Sequence, residues 1–421
     1  MVMISRRRWI DRGRSLPEFR RYTPRPGDPD WRRLVGEARA LAARLLPRLA
    51  PPPSRGVDRL RALAAHGTAA ENYAINYRRH RAGREDLLPL YFIWTTHRGC
   101  NFRCTYCDDH RGRSYPDLPK DGTLSTSQGK LLQTIMRTRT PSVYYAGGEP
   151  TLRGDLPELL RHARELAYYP ISINTNGSVI HRQLARPRWR TALADLDIVV
   201  VSIDRLDLTA AAELWKHDRP EEVFRNLLLL RELAGPMRFK LMINTVIQPG
   251  HVSEALAVLD LANDLGLHFA PVPMNVGPRV HPGLRVDPEY PVFVEELLSR
   301  KRSGAPIVGS LRMNRRLLRS EPKACRNTLK PHVDHDGHLI WPCKSAMNVA
   351  PVKLNVLDYS GVDALYAAAC KEVEPTRFHG QARNQCGAEC NWAQNYSTDA
   401  YVHGLEHPLS MVKDVAAFVG Q

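Results

Sequence analysis

Between residues 90 and 275 the chain alternates a short apolar run with a helix-patterned stretch six times, and this rhythm limits its fold more than any other feature. The runs are YFIWTTH (91–97), SVYYAGG (142–148), PISINTNG (170–177), IVVVSID (198–204), KLMINTVI (240–247) and HFAPVPMN (268–275). Each is apolar or β-branched and ends in polar or glycine residues. Between them lie TSQGKLLQTIMRT, DLPELLRHARELA, PEEVFRNLLLLRELA and VSEALAVLDLANDLG, whose apolar residues recur at three- and four-residue spacing. Ser125 or Thr126 is placed to cap the first of these, and Pro220 sits in a first turn. Strand–helix units in succession predict an α/β fold with a parallel sheet and helices outside it. No nucleotide-type glycine fingerprint follows the first strand, so a partial (β/α)6 TIM-like barrel is expected rather than an open doubly wound sheet. In parallel barrels the C-terminal strand ends carry the chemistry. Here those positions hold Cys100, then Gly147–Glu149, then Asn174–Asn176, then Ser202 and Asp204.

The flanks differ in texture. Residues 1–89 are broken by proline and read as a basic helical extension. Residues 90–300 form the barrel, and 301–421 a smaller C-terminal domain. Net charge is +16, and residues 1–90 hold 20 Arg and Lys against 9 Asp and Glu. Such an arm, with Arg6, Arg7 and Arg8 at its start, suits either solvation or an anionic partner. It lacks the interleaved aromatic and glycine pattern of RNA-binding modules, which makes nucleic acid an unlikely partner. No apolar run is long enough to span a bilayer, and no apolar region follows the basic N-terminus as in a secretory signal. A cytoplasmic, reducing location is expected, and it disfavours structural disulfides.

Eight cysteines then need another explanation. Cys100, Cys104 and Cys107 fall within eight positions of each other. With His110 they could form a structural zinc site. Alternatively, three thiolates on one loop at a barrel mouth leave one iron of a four-iron cluster open to another ligand. The triplet, spaced by three and then two residues with Tyr106 just before the last cysteine, resembles the signature of radical S-adenosylmethionine (radical SAM) enzymes. A second match is GGEP after the second strand, here Gly147, Gly148, Glu149 and Pro150. The resemblance implies a 4Fe–4S cluster on the three cysteines whose fourth iron is chelated by S-adenosylmethionine. One electron from the cluster then gives methionine and a 5′-deoxyadenosyl radical. It further implies that Gly147–Pro150 meet the methionine amino group, with the Glu149 carboxylate facing that cation, and that Tyr106 meets the adenine. Asn174, Ser202, Asp204 and, more weakly, Asn244 would bond the ribose and the methionine carboxylate.

In the tail, Cys325, Gly337, Cys343, Cys386 and Cys390 resemble the C-terminal auxiliary-cluster regions called SPASM and twitch, although the glycine-to-cysteine spacing is one residue longer than usual. This implies a second 4Fe–4S cluster on Cys325, Cys343, Cys386 and Cys390, with four-cysteine zinc as the alternative. HVDHDGHLIWPC reads as a hairpin turned at Asp336–Gly337. Cys370 is left over, either a small buried residue or a thiol that returns hydrogen to a substrate radical. The resemblance implies an oxidoreductase that abstracts hydrogen from a C–H bond and uses the auxiliary cluster as an electron relay. A flavodoxin or ferredoxin would donate electrons. Without a strand-bearing N-terminal module, a non-peptide metabolite (sugar, aminocyclitol or lipid, possibly anionic) is the expected substrate. A ribosomal peptide is the alternative, and a zinc-stabilised nucleic-acid-binding protein a second.

Overall fold

A computed structural model describes residues 20–107, 117–277, 279–321, 325–343, 352–375 and 393–408. All six apolar runs are strands: β1 (Phe92–Thr95), β2 (Val143–Ala146), β3 (Ile171–Thr175), β4 (Ile198–Ser202), β5 (Lys240–Ile247) and β6 (His268–Pro273). They pair in parallel and in chain order. The helices between them include α3 (Thr126–Arg137), α4 (Leu156–Glu165), α5 (Leu208–Trp215), α6 (Pro220–Met237) and α7 (Val252–Asp264). Ser125 caps α3 in a capping box with Gln128, and Pro220 occupies the first turn of α6. The chain is thus an α/β partial barrel. Phe92, Trp94, Tyr145, Ile173, Val199 and Val201 point outward into the helical layer, each almost wholly buried. Alternation sends Tyr144, Asn174, Ser202 and Asn244 to the opposite, concave face, where each stays half-buried.

The tail extends this sheet. Strands β7 (His332–Val333) and β8 (His338–Ile340) form the expected hairpin around Asp336–Gly337, and β9 (Leu354–Asn355) adds an edge. Gly337 has φ +86°, the left-handed backbone that a glycine turn accommodates. Beyond the hairpin itself, β7 pairs in parallel with β1, so the sheet runs β9-β8-β7-β1-β2-β3-β4-β5-β6. Three helices, α8 (Glu289–Arg302), α9 (Leu311–Leu318) and α10 (Val362–Glu372), flank the tail, and α11 (Ala393–Glu406) follows.

The N-terminal helices are part of the barrel's packing. Helix α1 (Trp31–Leu45) lays Trp31, Leu34, Val35 and Ala38 onto α6, with the Trp31 ring 5.5 Å from Phe224. The 27-residue α2 (Arg55–Arg81) inverts the usual amphipathic arrangement: its buried residues include Arg61, Asn72 and Asn76, while Val57, Leu60 and Leu63 face outward. The inward polar groups meet backbone at the N-terminal ends of the strands. Arg61 donates to both carboxylate oxygens of Asp197 (2.8 and 2.5 Å) and to the Tyr168 carbonyl (2.7 Å), just before β4 and β3. Asn72 donates to the Pro89 and Arg139 carbonyls (2.9 and 2.6 Å), before β1 and β2. Asn76 exchanges two hydrogen bonds with Leu88. Buried carbonyls that the sheet cannot satisfy therefore find donors on α2. No helix among the described residues is long and apolar enough to cross a membrane.

Candidate active site

The loop carrying Cys100, Cys104 and Cys107 leaves the C-terminal end of β1 and is fixed on three sides. On the first, the GGEP segment after β2 lies directly against it. The Gly148 amide donates to the His97 carbonyl (2.9 Å) and the Glu149 amide to the Gly99 carbonyl (2.8 Å). Burial holds the His97 imidazole below its usual value, and Nε2 lies 2.7 Å from the Glu149 carbonyl. A Cβ on Gly147 would fall 2.4 Å from the His97 oxygen, and one on Gly148 would fall 2.0 Å from the Gly99 oxygen. The two glycines are bare because another backbone passes over them.

On the second side, Phe102 stacks on Trp215 (5.5 Å between centroids, 18° between planes), and the amides of Arg103 and Thr105 donate to the Trp215 and Leu214 carbonyls. The Tyr106 hydroxyl donates to Asp204 Oδ2 (2.6 Å), which also accepts from Trp215 Nε1 (3.0 Å), while Oδ1 accepts from the Val246 amide (2.8 Å). Asp204 is 3% exposed, and burial raises its carboxyl pKa. Its oxygens serve the protein, which corrects the expectation that it meets the cofactor. Asp204 instead anchors the Tyr106 hydroxyl, and the Tyr106 ring remains only half-buried.

On the third side stands β3. Asn176 donates to Asn101 Oδ1 (3.0 Å) and lies 3.9 Å from the Cys100 sulfur. Its own amide donates to Glu149 Oε2 (2.6 Å). Glu149 Oε1 takes the Thr151 amide (3.0 Å) and the Thr151 and Thr175 hydroxyls (2.5 and 2.7 Å). This carboxylate is 1% exposed, and burial raises its pKa despite those four bonds. It is a clamp between β2 and β3. Pro150 begins the short turn Pro150–Leu152 that returns the chain to α4.

What remains open to a ligand is the concave face. Asn174 Oδ1 is buried there with no hydrogen-bond partner, and Ser202 pairs in register with Asn244 one step higher. Burial pushes Cys100 up to about 11, and burial, Asp204 and the two sibling thiols push Cys104 up as well. Thiolates in such surroundings need a metal cation to be stable. Three of them in mutual electrostatic range, with the Phe102 amide already donating to the Cys100 sulfur (3.3 Å), fit an iron–sulfur cluster.

Residues 94–262 match the family model for the radical SAM superfamily. The chain carries a radical SAM domain. That domain runs from β1 into α7 and so contains the triplet, GGEP, Asn174, Ser202, Asp204 and Asn244. Fe-coproporphyrin III synthase of Methanosarcina barkeri is 35% identical over 113 residues, 27% of this chain and 26% of that protein. GTP 3′,8-cyclase of Chlorobaculum tepidum is 31% identical over 180 residues, 40% of this chain and 49% of that protein. The chain thus spans from a quarter to a half of these curated relatives. Among solved structures, Streptococcus suis SuiB bound to S-adenosylmethionine superimposes with TM-score 0.50 and 19% identity over 66% of each chain. Native anSMEcpe with bound AdoMet gives 0.51 and 17% over 78% of this chain and 99% of that one. These likenesses show the fold.

Among the described residues of the tail, Cys325 and Cys343 belong to the other end of the sheet. Ile340 pairs with His332 and His332 with Ile93, so Cys343, three residues on, lies toward the N-terminal end of β1. It is buried, beside Lys330, His332 and Asn395, and Cys325 is half-buried. Cys386, Cys390, His110 and Arg6–Arg8 lie outside the described residues. Cys370 stands on α10 against Asp86, Arg79 and Arg84, before β1 begins, and burial pushes its thiol up to about 11. That is the end of the sheet opposite Cys100, which corrects its expected role as a hydrogen donor beside the cofactor. Asn101, His97 and Asn176 hold the cysteine loop but carry no recognisable motif. Their only trace in the sequence was as polar residues, His97 closing the first strand run, Asn176 closing the third and Asn101 beside Cys100.

Proposed function

We propose that the chain is a radical SAM enzyme that modifies a peptide substrate by hydrogen abstraction from a C–H bond, with an auxiliary 4Fe–4S cluster as electron relay. When bound, the first cluster supplies one electron to S-adenosylmethionine and so a 5′-deoxyadenosyl radical. Cys100, Cys104 and Cys107 would hold that cluster. Asn174, Ser202 and Asn244 would orient S-adenosylmethionine on the concave face, and the Tyr106 ring would flank its adenine. Glu149, Asp204 and Asn176 fix the loop. Cys325, Cys343, Cys386 and Cys390 would hold the second cluster, and the division at residues 89 and 300 serves this arrangement.

The observation that supports the reading is the cysteine loop at the C-terminal end of β1, held against GGEP and β3 beside a polar concave face. Peptide is preferred over the small metabolite expected from sequence because SuiB also occurs bound to its precursor peptide SuiA, and anSMEcpe with Cp18Cys and Kp18Cys peptides. An anionic nucleotide is the second reading. It is supported by the GTP 3′,8-cyclases among the relatives and by the net charge of +16.

Anaerobic protein should hold about eight irons per chain, falling to about four in Cys100→Ala/Cys104→Ala/Cys107→Ala. About four falling to none would remove the relay, and no iron in either would end the enzyme reading. Deuterium appearing in 5′-deoxyadenosine from labelled peptide, and not from labelled GTP, would separate the two substrate classes.

A further inference from the structure

Three metal-type donors cluster at the end of α11, where it runs beside the end of α2, and a fourth stands next to one of them. His403 and His407 are one helical turn apart with Glu406 between them, so the helical period sets all three on one side. The His407 amide still donates to the His403 carbonyl (2.8 Å), which keeps that spacing past the last helical residue. One ligand atom from each of the three lies within 4.8 Å of the other two, and the imidazole centroids are 4.6 Å apart. The fourth donor comes from 323 positions earlier in the chain: His80 Nε2 is 3.6 Å from Glu406 Oε1.

The supports under these donors are rigid. Tyr401, Val402 and Leu405 form a small buried cluster with Leu87 and Leu329, against which Tyr73 and Leu90 pack. Tyr73 donates to the Gly404 carbonyl (3.3 Å) and Asn76 to the Tyr401 hydroxyl (3.3 Å). Tyr73, Asn76 and His80 follow one another along a single side of α2, so His80 continues a packed seam. Charge is also favourable. Glu406 brings a negative charge, and Arg312, which acts on His403, lies 3.6 Å from the Asp399 carboxylate that offsets it.

We propose that His80, His403, Glu406 and His407 form a binding site for a divalent transition metal of the zinc class, tying α11 to α2. Three imidazoles and one carboxylate are a tetrahedral nitrogen and oxygen set that suits zinc, whereas magnesium and calcium favour oxygen alone. The site does not depend on the radical SAM reading. A metal bound only by the folded pair of helices raises the stability of the fold through mass action.

The test uses untagged, iron-loaded protein equilibrated with buffered zinc, in wild type, His403→Ala/His407→Ala and His80→Ala. Wild type should hold about one zinc per chain more than the double variant. His80→Ala should bind it at least about tenfold more weakly. Iron per chain, unchanged across the three, reports that the variants fold. X-ray absorption at the zinc edge on wild type needs no variant: a shell of nitrogen and oxygen supports the site. Sulfur neighbours would assign the zinc to cysteines and overturn it. Equal zinc in wild type and double variant, or unchanged affinity in His80→Ala, would overturn it too.

Discussion

Gly148 shows how little freedom the site leaves a single residue. A methyl group there would overlap the Gly99 carbonyl, and the neighbour is backbone that cannot rotate away. Gly148→Ala should therefore displace residues 97–99 and cost at least about 1–3 kcal/mol. Its signature is loss of the iron that depends on Cys100 while iron in the tail is retained, measured by metal analysis beside a denaturant melt. Asp204→Asn makes a complementary case. An amide in place of the carboxylate turns one acceptor into a donor facing either the Val246 amide or the Tyr106 and Trp215 donors. About 1–3 kcal/mol of stability should be lost, with Tyr106→Phe in the same background adding little, as a double-mutant cycle would read. The motif residues were legible in the sequence, but their partners were not. GGEP and Asp204 stand out as polar strand ends, yet that they grip the cysteine loop depends on contacts with His97, Gly99, Tyr106 and Trp215, which only the folded sheet brings near.

At the scale of elements, the hairpin β7–β8 is joined to the cysteine loop through Arg98, whose guanidinium pairs with Asp334. Burial alone would raise the Asp334 carboxyl, but hydrogen bonds from His335 and Arg98 outweigh it and hold it well below the usual range. A carboxyl depressed in the fold contributes stability above its unfolded value, near 4, and loses it as pH falls toward the folded value. The stability gap between wild type and Asp334→Asn should thus be full at neutral pH and shrink below about pH 4, as acid titration of unfolding would show. The hairpin was readable from Asp336–Gly337. Its seat beside β1 was not, because a two-residue strand paired across more than 230 positions leaves no periodic trace. The six parallel strands were readable because each is a short apolar run closed by glycine or polar residues.

For the whole molecule, residues 20–89 pack as part of the fold, whereas the charge and prolines of this region suggested an extension. Residue type cannot announce that the partners of Arg61, Asn72 and Asn76 include distant carbonyls. Removing residues 1–89 should leave the barrel unable to fold to a soluble monomer, whereas an appendage would come off without loss; size-exclusion chromatography and a thermal melt of residues 90–421 decide between these. Arg61→Ala should cost about 1–3 kcal/mol by leaving the half-buried Asp197 without its cation, with chemical denaturation as the readout.

Helix α2 can also be read as a gauge. Eleven residues separate Arg61 from Asn72, about 16 Å of helix and close to three whole turns. The feet they stand on, Asp197 before β4 and Pro89 before β1, belong to strands three spacings apart, about 14 Å. Both donors face the sheet only because the interval is nearly a whole number of turns. A single residue added between them would swing one donor by about 100° and cut either the β1–β2 or the β3–β4 attachment. The length of that interval, more than its composition, keeps four strand ends aligned, and with them the loops at the far side of the sheet.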